Sequence, residues 1–448
     1  MTTQTAIRAE TFIQSVGVQL HLRYSDSKYW NVQNVITDLK YLGIDHVRDT
    51  IWNTVGANPA EESHYAALAA AGIHFDMLID GGTIAPQVAL LSSFETANPG
   101  AITSIEGPNE VDNTPVPYNG LTGTAGDAAY ENALVSAVKG TPNLSLIPLY
   151  NESSAVGIAT NATDSNFHAY PTAGAEPLAT LTSDFASSTH AMSSKPVVVT
   201  EAGYYTMTDG VGWGGVDYTT QAKLTLNMIM DATKLGVSQI YIYQLLDDYA
   251  DPNNTTQEDH FGLFDINNNP KPAAVAIHNL MTILADTGPA AMSFTTSTLS
   301  YTISGLPSTG SSIELEKSSG AHDIVVWNEP KIWNNTTHTE IAAAATPVTV
   351  NLGASFANVT IYDPLSGTGA VSTLHNVSSV TLSLTDHPLI IEVGATGASS
   401  ATPGMTQTVL PTIPVSSPAS SATADFSTPL GLSDAPHGSL SLGLSLHT

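Results

Sequence analysis

Two glutamates, Glu110 and Glu201, have flanking sequences that would let their carboxyl groups act together on one substrate. Each lies just beyond or at the end of a short apolar run and beside small or turn-forming residues, within Ile105–Glu110 and Val198–Gly203 respectively. Two facing carboxyls can divide bond cleavage between them, one held protonated as a general acid and the other ionised as a nucleophile. Glycoside hydrolysis requires such a pair on either side of the scissile bond.

Short apolar runs alternate with helical segments in the part of the chain that carries both glutamates, which is the pattern of βαβ units and a parallel sheet. The eight predicted strands are Val16–Leu22, His46–Asp49, Phe75–Ile79, Ile102–Glu106, Leu144–Leu149, Asn166–Tyr170, Val197–Glu201 and Gln239–Tyr243. Eight such units predict an α/β fold, a TIM (β/α)8 barrel over residues 10–287. An open doubly wound sheet is the alternative, but Gln19–Leu22 is not the Gly-rich phosphate loop that it would need.

In such a barrel, residues at the carboxyl ends of the strands point into the mouth where active sites form. Glu110 then belongs to strand four and Glu201 to strand seven. Further candidates for contact with a substrate lie at or near other strand ends: His21, Arg48, Trp52, Asp80, Asn109, His168, Tyr170, Tyr243 and Gln244. Trp30 and Trp213, in or near loops on the same side, could stack on sugar faces.

The Asn109-Glu110 pair closing strand four and Glu201 closing strand seven resemble glycoside hydrolase clan A. The clan consists of retaining (β/α)8-barrel glycosidases whose catalytic glutamates lie on these two strands. The segment Phe167–Tyr170 is similar to the clan's His-x-Tyr, and Phe261–Asp265 looks like its closing segment before the last helix. The resemblance covers the barrel and implies Glu110 as general acid/base and Glu201 as nucleophile.

The resemblance also implies roles for the neighbours of the two glutamates. Arg48 would hydrogen-bond the nucleophile and keep it ionised, and the Tyr170 hydroxyl would orient it. Asn109 would hold the sugar 2-hydroxyl, a contact that strengthens in the transition state. Strand eight departs from the clan because it has no tryptophan, so Tyr243 or Gln244 takes that place or the sugar subsite is built differently.

Each candidate also has a purely structural interpretation. Arg48 could simply pair with a neighbouring carboxylate, and His168 could be a buried histidine whose hydrogen bonds are satisfied. Structural roles for His21 and Asp80 are as open as sugar contacts. For Trp52 a position in the core is favoured over stacking on a sugar.

Composition limits the partners and cofactors. With 12 Lys and Arg against 40 Asp and Glu, the net charge of −28 argues against nucleic acid and anionic membranes as partners. The absence of cysteine excludes disulfides and thiolate metal sites. Scattered histidines do not support a metal-dependent hydrolase, and the acidic runs at 247–251 and 265–269 fit Asx turns better than calcium loops. We therefore expect a carbohydrate substrate, no cofactor and no metal, and a monomer.

The helical periodicity of the sequence ends near Asp286. After it, short runs in which apolar and polar residues alternate predict a β-sandwich over residues 291–394. Its predicted strands are Leu299–Ile303, Ser312–Lys317, Asp323–Trp327, Val348–Leu352, Val359–Asp363, Val380–Leu384 and Leu389–Val393. A structural accessory role is expected for it, with carbohydrate binding as the alternative. Residues 395–448 are rich in Ser, Thr, Pro, Gly and Ala and predict a disordered tail.

The composition resembles that of exported bacterial proteins, although Met1–Ser15 has no apolar signal region. The alternating leucines of Leu440–Leu446 fit either a frayed end or an uncleaved export signal, so a secreted location is expected and a cytoplasmic one stays open. The sequence as a whole predicts a retaining glycosidase for β-linked poly- or oligosaccharides. A transglycosylase using the same residues and a non-catalytic polysaccharide-binding barrel are the alternatives.

Overall fold

The computed structural model describes residues 5–52, 59–154, 157–208 and 212–394 and the pair 407–408. Eight parallel strands form a nearly closed barrel. They are β1 Val16–Gln19, β2 His46–Thr50, β3 His74–Leu78, β4 Ile102–Glu106, β5 Leu149–Tyr150, β6 Ser165–Ala169, β7 Val197–Ala202 and β8 Gln239–Ile242. Neighbouring strands follow the order β5-β4-β3-β2-β1-β8-β7-β6. A parallel bridge between Tyr150 and Asp164 brings the two ends of this order together, which confirms the predicted barrel.

Helices alternate with the barrel strands. They are α1 Ala9–Gln14, α2 Val32–Leu42, α3 Pro59–Ala70, α4 Ile84–Ala97, α5 Thr124–Lys139, α6 Pro177–Ala191, α7 Tyr218–Leu235 and α8 Pro272–Leu284. Helix α2 shows why they form: the Asn31 side chain accepts a hydrogen bond from the Asn34 N–H at its start, and Gly43 ends it with φ of 74°. Over the part of the chain that is described, no helix combines the length and apolarity needed to cross a membrane.

The fifth barrel strand differs from the prediction. The expected strand Leu144–Leu149 is wrong, because the chain makes consecutive turns up to Ile147 and the strand begins only at Leu149. Leu144 is buried, but Leu146 is 95% exposed, so the alternating leucines do not belong to a strand. Residues 151–154 and 157–164 contain no helix and lead directly to β6.

The second half of the chain forms an antiparallel sheet domain. Its strands are β9 Thr302–Ser304, β10 Gly310–Glu316, β11 His322–Asn328, β12 Trp333–Asn334, β13 Thr339–Glu340, β14 Thr346–Tyr362, β15 Ser372–Leu384 and β16 Leu389–Val393. The predicted strands Val348–Leu352 and Val359–Asp363 are two parts of the single long strand β14, in which the pairing register shifts between Asn351 and Phe356. The earlier part pairs with β9 and β15, and the later part with β15 and β16. The predicted β-sandwich is confirmed.

The two ends of the described chain both add to this sheet. A short strand, Ile7–Arg8, pairs in parallel with β10, which the sequence did not predict. The pair Gln407–Thr408, within the predicted tail, forms a two-residue strand parallel to β15. The other residues of 395–448 lie outside the part that the structure describes. Since Ile313 and Trp327 of the sheet belong to the same hydrophobic cluster as the barrel, the domain boundaries at 287 and 394 remain predictions.

Candidate active site

Glu110 and Glu201 lie at the same end of the barrel. Glu201 is the second-last residue of strand β7, whereas Glu110 follows the end of β4 by four residues. One carboxylate oxygen of each, together with a ring nitrogen of His168, falls within a group whose atoms are all within 4.8 Å of one another. Glu110 is the more accessible, with 34% of its side chain exposed against 11% for Glu201.

The backbone of Glu110 adopts a left-handed conformation with φ of 42°. For a residue other than glycine, this conformation costs roughly 1–2 kcal/mol. Its N–H donates to the Ser153 hydroxyl at 2.8 Å, and its carbonyl accepts from the N–H groups of Asn113 and Thr114. Ser153, beyond β5, thus helps to fix the direction in which the Glu110 side chain points.

Arg48 of β2 is the buried centre of the site. Its Nη1 donates to Glu201 Oε1 at 2.5 Å and to Gln19 Oε1 at 2.9 Å. Its Nε and Nη2 hold both oxygens of Glu106, at 2.6 and 2.9 Å, and Nη2 also donates to Asn109 Oδ1 at 2.8 Å. One guanidinium on β2 therefore fixes side chains from β1, β4 and β7, and from the loop after β4, with its rigid fork of donors.

Glu106 and Gln19 are residues of this network that were not singled out from the sequence. Burial alone would raise the pKa of Glu106, but the charge and hydrogen bonds of Arg48 keep that pKa below its usual range. Asp76 of the neighbouring strand β3 shows the opposite: burial and the negative charge of Glu106 raise its pKa well above the usual value. The end of β4 was a visible strand end, so its last residue could have been included among the candidates.

The phenol of Tyr170 orients the second oxygen of Glu201. The hydroxyl lies 2.6 Å from Glu201 Oε2. Burial and the adjacent Glu201 raise the pKa of Tyr170 well above its usual value, so this hydroxyl keeps its proton and donates it in the hydrogen bond. Arg48 and Tyr170 each hold one oxygen of Glu201, which fixes the plane of the carboxyl group.

His168 lies between the two glutamates. Its Nδ1 is 3.0 Å from Glu110 Oε1 and 3.5 Å from Glu201 Oε2, and its Nε2 is 3.2 Å from the Thr200 hydroxyl. Burial would lower the pKa of His168, but the two glutamates raise it. For Glu110, burial alone would raise the pKa. Hydrogen bonds from His168 and Asn113, together with the charge on His168, instead lower the pKa of Glu110 to about 2. Both shifts favour the proton of this pair on His168 rather than on Glu110.

Three other predicted residues line the mouth. Asn109 is exposed, with its amide oxygen bound to Arg48 and its amide nitrogen without a partner among the described residues. His21 is partly exposed and its ring packs edge-on against Tyr243 with 5.5 Å between centroids. Asp80 lies further out, where its carboxylate is 2.8 Å from Arg23 Nη1.

Trp52 and Gln244 correct the prediction, because both are buried and cannot contact a substrate directly. Trp52 packs against Tyr65 and Phe94 at centroid distances of 4.9 and 5.2 Å. Both ends of the Gln244 amide are engaged: its oxygen accepts from the Tyr29 hydroxyl at 3.0 Å, and its nitrogen donates to the backbone carbonyl of Glu258 at 3.0 Å. Gln244 therefore ties the loop after β8 to the loop after β1.

Aromatic rings form one wall of the site in place of a strand-eight tryptophan. Tyr243 packs against Phe261 and Tyr170 at centroid distances of 5.1 and 6.1 Å. Trp213, from the loop after β7, reaches the same cluster, 6.1 Å from Tyr170 and 6.2 Å from Phe261. The wall is thus assembled from β6, β8 and two loops.

Glu110, His168 and Glu201 are also a group whose geometry could hold a cation. Their atoms are already engaged with one another and with hydrogen-bond donors. Glu201 accepts from Arg48 and Tyr170, and Glu110 accepts from His168 and from the Asn113 amide at 3.0 Å. A guanidinium bonded to one of the ligands repels a metal ion, so the arrangement suits an organic substrate better than a cation.

Sequence comparison finds no matching family model and no matching curated protein. Structural comparison does find similar chains. A monomeric β-xylosidase from Caulobacter crescentus has a TM-score of 0.58 at 13% identity, with 88% of this chain and 98% of that chain covered. A glycoside hydrolase family 30 subfamily 8 xylanase from Clostridium acetobutylicum has a TM-score of 0.51 at 11% identity, with 88% and 97% covered.

A third solved structure, an endo-β-1,6-glucanase, has a TM-score of 0.52 at 11% identity, with 88% of this chain and 93% of that chain covered. In all three the likeness covers 88% of this chain, which is more than the barrel alone spans. At these identities the likeness concerns the fold. It confirms the architecture that the resemblance to clan A implied.

Proposed function

We propose that this protein is a retaining glycosidase that cleaves β-glycosidic bonds in a poly- or oligosaccharide. The observation that carries the proposal is the placement of Glu110 just after β4 and Glu201 on β7, with carboxylate oxygens within 4.8 Å of each other. Retaining enzymes need carboxyl groups about 5–5.5 Å apart, whereas inverting enzymes leave room for a water molecule with about 6.5–9.5 Å. The fold shared with a β-xylosidase, a xylanase and a glucanase supports the same reaction class.

In the first step Glu201 attacks the anomeric carbon and the bond to the leaving oxygen breaks as Glu110 gives that oxygen a proton. The product of this step is a glycosyl ester of Glu201. In the second step Glu110 removes a proton from water, and the water oxygen displaces Glu201 from the anomeric carbon. The sugar leaves with its configuration retained, Glu201 is again a carboxylate and Glu110 is again protonated.

The proton needed for the first step is supplied within the site. His168 holds a proton at Nδ1, 3.0 Å from Glu110 Oε1. When a sugar excludes water from the site, separated charges on His168 and Glu110 become costlier, because the local dielectric falls. Transfer of the Nδ1 proton to Glu110 then gives the neutral acid that the leaving oxygen needs, and the free imidazole remains between the glutamates.

The test is a screen of β-linked polysaccharides and 4-nitrophenyl β-glycosides with the wild type, Glu201→Gln and Glu110→Ala. Glu201→Gln should abolish turnover of every substrate, since the amide cannot form the ester. Glu110→Ala should retain formation of the ester from nitrophenyl glycosides, whose leaving group needs little protonation, and should lose cleavage of polysaccharides.

Proton NMR of the first product should show the β-anomer, and chromatography with added acceptor sugar separates hydrolysis from transfer. Near-wild-type activity of Glu201→Gln, or a product of inverted configuration, would rule out the proposed mechanism.

A further inference from the structure

We propose that the loops after β1 and β8 carry a second sugar subsite, in which Tyr24 and Tyr249 hold a neutral sugar unit on the glycone side of the cleaved bond. This inference rests on the proposed glycosidase function and defines the substrate further. It implies that the natural substrate is a chain extending beyond the sugar that Glu201 attacks.

Tyr24 and Tyr249 are exposed aromatic side chains next to each other on the rim. They are 41% and 37% exposed, and their rings stack with centroids 6.2 Å apart and planes at 28°. Exposed aromatic rings are suited to pack against the apolar face of a sugar ring. Neither residue is required by the barrel core, since both project from loops.

A continuous row of rings connects this pair with the candidate catalytic residues. Tyr24 stacks on His21 at 4.7 Å with planes at 5°, and His21 packs edge-on against Tyr243 at 5.5 Å. Tyr243 in turn contacts Tyr170, whose hydroxyl binds Glu201. The rim pair is thus continuous with the wall of the catalytic site.

The two loops are tied together without a ligand. The Tyr249 hydroxyl donates to Asp26 Oδ1 at 2.8 Å, and the N–H of Lys28 donates to the Asp248 carbonyl at 3.4 Å. Deeper in the rim, the Tyr29 hydroxyl donates to Gln244 and accepts from the Leu246 N–H at 3.0 Å. A subsite fixed in this way loses little conformational entropy when a sugar binds.

Two buried polar atoms at the base of the rim have no hydrogen-bond partner among the described residues: His21 Nε2 and Asp248 Oδ1. Asp248 is 4% exposed and lies near both Tyr24 and Tyr249. Buried polar atoms in native proteins are nearly always satisfied, and these two are available to hydrogen-bond a group that enters the rim. A sugar hydroxyl both donates and accepts, and so fits either atom.

The charge state of these two groups favours a neutral sugar. Burial, together with the positive charge of Arg48, lowers the pKa of His21 to about 3. Burial and neighbouring carboxyls, Asp259 first among them, raise the pKa of Asp248 well above its usual value. His21 is therefore an uncharged imidazole near neutral pH, and burial favours the uncharged form of Asp248 as well, so neither group is arranged to attract a uronate or an amino sugar.

The strand order assigns the subsite to the glycone side. Glu110, which protonates the leaving oxygen, follows β4, and the leaving sugar must lie beside it. In the sheet order, β4 is three strands from β1 and four from β8, so the Tyr24 and Tyr249 rim lies across the mouth from Glu110. A sugar held there belongs to the part of the chain that stays attached to Glu201 in the first step.

The test varies only the glycone. It compares the 4-nitrophenyl β-monoglycoside with the corresponding β-trioside, for whichever of glucose and xylose gives the higher rate. Tyr24→Ala and Tyr249→Ala should each lower kcat/KM by about tenfold on the trioside and by less than about threefold on the monoglycoside, on the scale of one aromatic contact. Tyr24→Phe should keep the wild-type ratio, because stacking needs the ring and not the hydroxyl.

Tyr41→Ala is the control. Tyr41 lies on α2 outside the mouth, stacked on His278 at 4.4 Å, and its removal should leave the ratio of the two substrates unchanged. Equal losses on both substrates, or no loss on the trioside, in Tyr24→Ala and Tyr249→Ala would overturn the proposal.

Calorimetric titration of Glu201→Gln with the matching β-linked trisaccharide separates this inference from the proposed function, since it measures binding without turnover. Adding Tyr24→Ala to that variant should weaken binding about tenfold, a loss of about 1.4 kcal/mol. If Glu201→Gln stays active while the Tyr24 effect is present, the mechanism fails and the subsite stands. If Glu201→Gln is inactive and Tyr24→Ala binds the trisaccharide unchanged, the subsite fails and the mechanism stands.

Discussion

The mouth of the barrel and the boundary between the barrel and the sheet domain both bury carboxyl groups, but the groups that hydrogen-bond these carboxyls differ. At the mouth, Arg48 bonds directly to Glu106 and Glu201. At the boundary, Asp231 of α7 and Glu329, just after β11, share the indole N–H of Trp327 at 3.0 and 3.3 Å. No cation in the described part of the chain forms an ion pair within 4 Å of either boundary carboxyl.

The lysines nearest the boundary are engaged elsewhere. Lys223 binds Glu340 and Asp386 at 2.5 and 2.8 Å, and Lys234 donates to the Ser312 carbonyl at 3.2 Å. Burial and the charge of Glu329 raise the pKa of Asp231 to about 9.

Glu176, at the start of α6, has its pKa raised to about 9 as well, mainly by burial. Glu106 is thus held as an anion by the guanidinium at the mouth, whereas Asp231 and Glu176, which have no such partner, keep their protons at neutral pH.

Removing the guanidinium at the mouth should have the largest effect. Arg48→Met leaves Glu106 and Glu201 buried without a counter-ion, and should lower the free energy of unfolding by about 3–5 kcal/mol. Urea denaturation followed by circular dichroism measures this. Arg23→Met, at the exposed ion pair with Asp80, is the control and should cost no more than about 1 kcal/mol. A loss for Arg48→Met no larger than the control would show that the mouth is not stabilised through Arg48.

Replacing the histidine between the glutamates should change how the mouth holds its proton. In His168→Asn, Glu110 loses the partner that lowers its pKa to about 2, and it must hold the acid proton alone. The wild type stays active until His168, whose pKa is raised, loses its proton, whereas the variant loses activity at lower pH.

The alkaline limb of kcat/KM should therefore move down in pH, with a loss of about 100-fold at pH 8, within the range of acid catalysis. An unchanged limb would mean that His168 does not supply the proton.

Tyr170→Phe should weaken the mouth without unfolding it. The change removes one hydrogen bond of 2.6 Å to Glu201, and bonds to charged groups contribute about 1.5–3 kcal/mol. We expect kcat to fall by about tenfold or more while KM and the melting temperature change little. Tyr118→Phe is the control, since it also removes one tyrosine hydroxyl. A comparable fall of kcat in Tyr118→Phe would show that the Tyr170 hydroxyl has no specific role in turnover.

At the boundary, the raised pKa values predict that alkaline pH destabilises the protein. Between the unfolded pKa near 3.8 and the folded pKa of about 9, folded Asp231 binds more protons than unfolded Asp231, so stability falls as pH rises through this window. Asp231→Asn should reduce the loss of unfolding free energy between pH 7 and pH 9 by about 1 kcal/mol or more, as one pKa unit is worth 1.36 kcal/mol.

His387 changes stability in the same direction, because its pKa is raised to about 9 beside Asp363 and Asp386 and its protonated form is lost as pH rises. Its contribution should be the same in the wild type and in Asp231→Asn. Differential scanning calorimetry at pH 5, 7 and 9 measures both. Equal slopes for the two proteins would show that Asp231 is not the group that titrates.

The residues at the mouth were predictable from sequence where they lie at the end of a strand that its apolar residues identify. Strand ends point to the mouth whatever the rest of the fold does, so Arg48, His168, Tyr170 and Glu201 could be placed together. The apolar residues buried on one face of α2 recur with the period of a helix in the same way: Val35, Ile36, Leu39 and Leu42. The functional roles of these residues remain predictions until the variants are measured.

The misplaced residues depended on contacts that no local pattern contains. Trp52 and Gln244 follow strands as sugar contacts would, yet α3 and the loop after β1 bury them. The run from Leu144 to Leu149 alternates like a strand, but its backbone hydrogen bonds close turns instead. Long strand β14 looked like two because the residues at its register shift are not apolar in alternation.

The two residues Ile7–Arg8, paired with β10, have a consequence for how such a protein can be rearranged. A segment that precedes the barrel in sequence and the strands that follow the barrel both belong to the sheet domain. The coding sequence of the barrel is therefore inserted within that of the sheet domain. Cutting the gene after the barrel would remove β10, with which Ile7–Arg8 pairs. It would also remove Trp327 and so expose the carboxyl of Asp231. Recombination between relatives, natural or engineered, should therefore preserve the barrel and its sheet domain as one heritable unit, and vary the loops at the mouth instead.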